Sequence, residues 1–239
     1  MIENLLFLLV SFVAAAVATL AGFGSSTVLI PVAVFFMDIK SAIFLVACFH
    51  LFNNTFKIKM FWKKIDWHIF LQFGIASIFF AFTGALLASI APVEVIKKVL
   101  AGFLMLFSVY SLITPKFAVK ASKIKAAVGG SCSGLLAGLI GLGGAIRAAF
   151  LVAFDLPKEI YIATSAMIAF VIDLTRIPTY IFTKTIQNEA YYFLLPFMVL
   201  TAYLGVRYGK YLLGRINQEL FRKIVLAALF FAGLNLFFR

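Results

Sequence analysis

Acidic side chains are scarce in this chain. It has nine Asp plus Glu against 21 Lys plus Arg, and only two histidines and two cysteines among 239 residues. The two cysteines, Cys48 and Cys132, lie in apolar segments without a CxxC neighbour. No disulfide framework and no metal pattern follow from them, and both read as small membrane-buried side chains. There is no HExxH, no nucleophile elbow and no Walker A loop, so the usual sequence marks of a metalloprotease, a serine hydrolase or a nucleotide-driven pump are missing. With so few carboxylates and histidines, a membrane enzyme is a minor reading, and no cofactor is expected. Long polar stretches are also lacking. Charged residues make up 13% of the chain and hydrophobic ones 64%, with mean hydropathy +1.10. A soluble domain is nearer half apolar and a quarter charged. The composition is that of a polytopic, all-helical membrane protein.

The net charge of +12 fits that class. It clusters between hydrophobic segments: Lys57, Lys59, Lys63 and Lys64; Lys116, Lys120, Lys123 and Lys125; Arg207, Lys210, Arg215, Arg222 and Lys223. This is the pattern of cytoplasmic loops under the positive-inside rule, and nucleic acid is not expected as a partner. The opening "MIENLL" has no Lys or Arg, so the basic start of a signal peptide is missing and the stretch reads as a first membrane segment.

Hydrophobic segments cover 4–21, 26–37, 41–61, 67–90, 94–114, 126–140, 145–156, 159–182, 190–212 and 218–238. A full crossing takes about 20 residues, which most of them approach. The second and seventh, at 12 residues each, reach little past mid-membrane. The chain also repeats itself. An offset of 119 maps Leu20, Gly22, Gly24, Phe35, Ala47, Asn54 and Lys57 onto Leu139, Gly141, Gly143, Phe154, Ala166, Asp173 and Arg176. Further on, "PVEVIKKVL" maps onto "NQELFRKIV" at an offset of 125. The expected organisation is a membrane repeat over 1–115, a basic cytoplasmic linker over 116–125 and a second membrane repeat over 126–239. Loops 57–64 and 116–125 are Lys-rich, 183–189 is poor in basic residues and 207–223 is rich. Equivalent loops then lie on opposite sides, as in inverted-topology repeats. This arithmetic works if 4–21 and 26–37 form a hairpin that enters and leaves on one side.

Each repeat breaks its apolar run with glycine, as "LAGFGSSTVLIP" and as "LIGLGGAIRAAF". Unpaired backbone in lipid is costly, so such a break faces protein or a wet cavity. Gly22 is placed to end the first helix, and Ser25 or Ser26 to cap the next. The N–H groups near Ser25, Ser26 and Thr27 would then face an anion, since a helix N-terminus is an anion site. Gly141, Gly143, Gly144, Ala145 and Ile146 are placed likewise in the second repeat. The alternative is that the glycines serve only close helix packing. Arg147 follows the second break and offers a planar fork for oxyanions; the alternative is a structural partner for Asp155 or Asp173. His50, Asn53, Asn54 and Lys57 share one helix face. Asn53 and Asn54, with Thr164 and Ser165, are candidate substrate hydrogen-bonders, or interhelical bonds. Arg176 is a second candidate cation, or simply the ion-pair partner of Asp173. Lys57 reads as a snorkelling residue at the cytoplasmic boundary. His50 and Asp173 are candidates for proton coupling.

The chain resembles the TauE/SafE family of sulfite and organosulfonate exporters. The resemblance rests on the duplicated glycine break, the short polar turns "MDIKSA" and "FDLPKEI", and "YIATSAM". "GLGGA" and "LPKEIYIATS" are close to the family pattern, whereas "GFGSS" and "IFLVACFHLFNN" depart from it. The resemblance implies a bacterial inner-membrane secondary transporter for a small anion, sulfite or a short organosulfonate first. It would work by one repeat rocking against the other, with the proton gradient as the simplest energy source. A permease for another anion such as a carboxylate, and a non-transporting membrane partner protein, are the alternatives. The lipid bilayer and the anion are the expected partners, and a homo-oligomer is left open.

Overall fold

The computed structural model describes residues 2–21, 24–114, 122–154, 156–186, 189–212 and 218–238. Ten α-helices account for nearly all of them: α1 (Ile2–Ala21), α2 (Ser25–Ala33), α3 (Ile39–Phe61), α4 (Trp67–Ile90), α5 (Val93–Ile113), α6 (Lys123–Ile140), α7 (Gly143–Ala153), α8 (Lys158–Phe182), α9 (Leu195–Leu212) and α10 (Gln218–Phe238). Among the described residues there is no strand. The boundaries follow local chemistry. Asp38 caps α3 by accepting from the Ser41 N–H at 2.9 Å. Asp66 caps α4 through the Ile69 N–H at 3.0 Å. Ser122 caps α6 through Lys125. Each supplies an acceptor for a backbone donor that has no partner inside its own helix. Helices α5 and α8 each start directly after a proline, Pro92 and Pro157, whose fixed φ suits a helix start. The segment expected over 190–212 divides into a 3₁₀ stretch, Glu189–Leu194, and α9.

By length and composition, four helical stretches could cross a membrane: Ile39–Lys64, Trp67–Ile90, Val93–Ile113 and Glu159–Phe182. In α1 and α10 the apolar stretches among the described residues are shorter, Asn4–Thr19 and Leu229–Phe238. The protein is an integral membrane protein. Outward faces are apolar, as lipid demands: Ile75, Phe79, Phe82 and Ile90 on α4, Leu106 and Ile113 on α5, Phe197 and Leu200 on α9 are exposed. Trp62 and Trp67 stand edge to face, 5.7 Å between centroids, beside Lys63 and Lys64. That is the composition of a membrane–water interface. Cys48 is buried inside the protein, and Cys132 of α6 is exposed on its surface.

The helices pair in a regular way. The tightest contacts are α4 with α6, α1 with α9, α5 with α10 and α3 with α8. Lipid supplies no hydrophobic drive between helices, so close packing must hold them. Gly130, Gly134 and Gly138 recur every fourth residue on α6. A Cβ on any of them would strike backbone of α4 at Phe73, Ser77 or Ala81, and one on Gly84 would strike Leu135 in return. Gly205 and Gly209 on α9 lie as close to Phe12 and Ala16 of α1. The apolar centre is built on α2 and α3, where Leu29, Ile30 and the run Ala42–Phe49 are buried.

Substituting Gly134→Leu forces two backbones apart and is expected to cost about 1–3 kcal/mol or more. Gly102→Leu, where nothing lies within 4 Å of an added Cβ, is expected to be neutral. Thermal unfolding of the two variants in detergent is the measurement.

Candidate functional site

The two glycine breaks meet. Gly24 has φ +84° and is itself the N-cap of α2, with no side-chain capping bond. Ser25 is therefore the first helical residue rather than the cap, and its Oγ is buried without a partner. Gly22 lies outside the described residues. In the second half α6 ends at Gly141, φ +76°. There the Leu142 N–H reaches back to the Leu136 carbonyl at 3.2 Å, a Schellman-type ending that needs a left-handed residue. A Cβ on Gly24 would stand 3.4 Å from Gly144 Cα, 3.5 Å from His50 Nε2 and 3.8 Å from Arg147 Nη2. One on Gly141 would overlap Ile30 of α2 and stand 3.5 Å from Arg176 Nη1. The first residues of α2 and α7 thus begin beside one another, with N–H groups that have no partner in their own helices.

Two polar clusters flank this junction. The first is centred on Asp173, which is fully buried. His50 Nδ1 lies 2.9 Å from its Oδ2. Arg176 donates Nε to Oδ1 at 2.9 Å and holds Nη2 2.8 Å away from the same oxygen. The third Arg176 nitrogen, Nη1, donates to the Ala137 carbonyl at 2.7 Å, and the Tyr180 hydroxyl donates to Gly138. These carbonyls belong to the last turn of α6, where a cation is favoured. Of the two readings of Arg176, the ion pair is the one these contacts display. Asn54 Nδ2 donates to the His50 carbonyl at 2.8 Å.

The second cluster surrounds a small cavity of about 20 Å³ lined by Gly24, Asn54, Lys57, Arg147, Tyr161 and Ser165, among others. Such a volume holds about one water-sized group. Arg147 is 2% exposed and Lys57 5%. Arg147 donates Nε to Ser165 Oγ at 2.9 Å. Neither cation has a carboxylate within ion-pair distance among the described residues, because Asp173 is taken by His50 and Arg176; Asp155 lies outside them. Lys57 does not snorkel: it is buried against the cavity, which corrects the expectation of a boundary residue. The one signal was its position on the face of Asn54, one turn on. Buried side-chain atoms with no hydrogen-bond partner are Ser25 Oγ, His50 Nε2 and both ends of the Asn53 amide. In native proteins such atoms are few, and each calls for a reason. Among the described residues all of them belong to α2 and α3.

Other expected residues are placed elsewhere. Thr164 accepts from the Asp66 N–H at 2.9 Å and secures the start of α4. Gly143 packs against Ser133, whose Oγ donates to its carbonyl at 2.8 Å. Ser26, Thr27 and Ala145 are buried at the helix starts, and Ile146 is half-buried. A larger groove of about 480 Å³, between Phe56, Tyr203, Arg207 and Lys210, runs along the basic edge and does not contain the buried polar groups. Sequence reasoning missed Tyr161 of the cavity wall. It also could not pair His50 with Asp173 across 123 positions.

Asp173→Ala strips the partner from two buried groups at once. It is expected to destabilise by about 3–5 kcal/mol, the usual cost of an abandoned buried charge. Asn54→Ala, which removes one hydrogen bond, is expected to cost about 1 kcal/mol. Denaturation midpoints of the purified variants compare them.

No curated protein matches the chain. The family model described as sulfite exporter TauE/SafE matches residues 7–236, nearly the whole sequence, and the chain belongs to that family of membrane transporters.

Proposed function

We propose that this protein is a secondary transporter of the bacterial inner membrane that moves a small oxyanion, sulfite before short organosulfonates, by alternating access. The observation that carries the reading is the small cavity at the meeting of the glycine breaks, with the buried side chains of Arg147 and Lys57 on its wall and, among the described residues, no carboxylate to neutralise them. Unpaired buried cations are expensive, and an anion that visits the site offsets that cost. The N–H groups at the starts of α2 and α7, including those of Ser25, Ser26, Thr27, Gly144, Ala145 and Ile146, add donors of the kind that hold oxyanions. Ser165 and Asn54 complete the hydrogen bonds. His50 is the proton-exchanging group in this reading; its Nε2 without a hydrogen-bond partner and its Nδ1 on Asp173 support that. Proton-gradient coupling through this pair belongs to the reading.

The architecture proposed with it is two inverted repeats, 1–115 and 126–239, joined by the basic linker and crossing the membrane several times. In support, exchanging the halves sends α4–α6 onto α9–α1 and leaves α3–α8 and α5–α10 as self-paired contacts. The short α2 and α7, each starting at its glycine break and in contact with the other, support reading them as discontinuous transporter helices. The weaker alternative, a carboxylate permease, would use the same cations.

The test is flux of labelled sulfite into proteoliposomes, with and without a pH gradient. The wild type is expected to show saturable uptake. Arg147→Ala is expected to cut it at least about 30-fold, the effect of losing some 2 kcal/mol at a buried charge contact, with insertion intact. Absence of flux for every small anion sinks the reading. Topology is checked separately by single-cysteine labelling. Positions in 91–98 and 183–189 are expected to react from outside the cell, and cytoplasmic labelling of 183–189 rules out inverted repeats.

A further inference from the structure

The two halves use one seat in two ways. In the second half, the space between the end of α6 and helix α8 is filled by the guanidinium of Arg176, bonded to the Ala137 carbonyl and to Asp173. An offset of 119 carries Ala137, Asp173 and Arg176 back to Ala18, Asn54 and Lys57. These three line the cavity. The cavity is therefore the first half's copy of a seat that the second half fills with its own side chain.

Two exchanges separate the copies. Lysine replaces the forked arginine, so the head no longer spans a carbonyl and a carboxylate together. Asparagine replaces aspartate, so the cation loses the carboxylate one turn before it. A third cation-bearing residue has no counterpart: Arg147 reaches the cavity from α7, where the first half has Val28. The charged and titratable groups around the space are Lys57 and His50 from α3, Arg147 from α7, and Tyr161, Asp173 and Arg176 from α8. Asp173 and Arg176 cancel one another. Two cations are left facing a volume of about 20 Å³.

We infer that Asn54 is the charge-selecting residue of this cavity: by standing as an amide where the second half has a carboxylate, it leaves two cations unneutralised and makes the site one for a compact, doubly charged oxyanion. This rests on reading the cavity as the transport site. A carboxylate at position 54 would take Lys57 as Asp173 takes Arg176 and leave a single cation, suited to a singly charged anion.

The experiment is calorimetric titration of the full-length protein in nanodiscs at neutral pH with three probes: sulfite, part of which is dianion there, nitrate and methanesulfonate. The wild type is expected to bind sulfite at least about tenfold more tightly than either singly charged probe, since one extra charge pair at low dielectric is worth that or more. Asn54→Asp is expected to lose that preference and to melt no lower than wild type without ligand, because the introduced carboxylate finds Lys57. Asn54→Leu, which changes shape but not charge, is expected to keep the preference. Lys57→Met, which removes one cation, is expected to lose it even if Asn54→Asp does not fold. If Asn54→Asp still prefers sulfite, or if Asn54→Leu loses the preference as fully, Asn54 does not select charge. If the wild type binds all three probes alike, the anion site stands and the charge inference falls. If it binds none, the transport-site reading itself is wrong.

Discussion

A carboxylate with no access to water has to be satisfied by its own chain, and Asp173 is satisfied by two helices at once. His50 comes from α3 and Arg176 from its own α8, and Arg176 then gives its remaining donor to the last turn of α6. Three helices are tied by one acid, in a region where any loss leaves a charge stranded in a low dielectric. The position of α3 against α8 depends on this knot, and so does the position of Asn54 and Lys57, one and two turns beyond His50. The cavity exists because the knot consumes the acid and leaves the other cations without one.

Much of the fold could be read from the residues. Composition set the class, and the glycine breaks marked both helix interruptions within a few positions, because a left-handed backbone and a close approach leave little choice but glycine. What was misread at the site was misread for physical reasons. Lys57 looked like a boundary residue because a lone lysine near the end of an apolar segment usually reaches for water. Only the arrangement of α7 and α8 around it reveals a buried position. Thr164 was grouped with Ser165 as a candidate hydrogen-bonder, yet neighbours on a helix point about 100° apart, and Thr164 faces the start of α4. The partner of His50 was out of reach, since one sequence holds no record of which distant residues touch.

The same residue type does different work at different depths. Glycine at 24 and 141 permits a backbone conformation. Glycine at 130, 134 and 138 removes a side chain so that carbonyls of the facing helix can approach. The second use is the membrane's substitute for a hydrophobic core, because shape alone holds these helices against lipid that would solvate them equally well. It also explains why so little polar chemistry is found outside the central knot and cavity.

The glycine-packed contacts have a mechanical consequence. They join α6 to α4 and α1 to α9, so each half of the chain has handed its first helix to the other half. The cavity wall is shared in the same way: Gly24, Asn54 and Lys57 come from the first half, and Arg147, Tyr161 and Ser165 from the second. A change of shape that spares the backbone-close seams cannot separate residues 1–115 from 126–239. The α3–α8 contact, tied by His50 and Asp173, joins the halves once more, so the two sides of the cavity are bound to each other by a buried ion pair as well as by close-packed backbone.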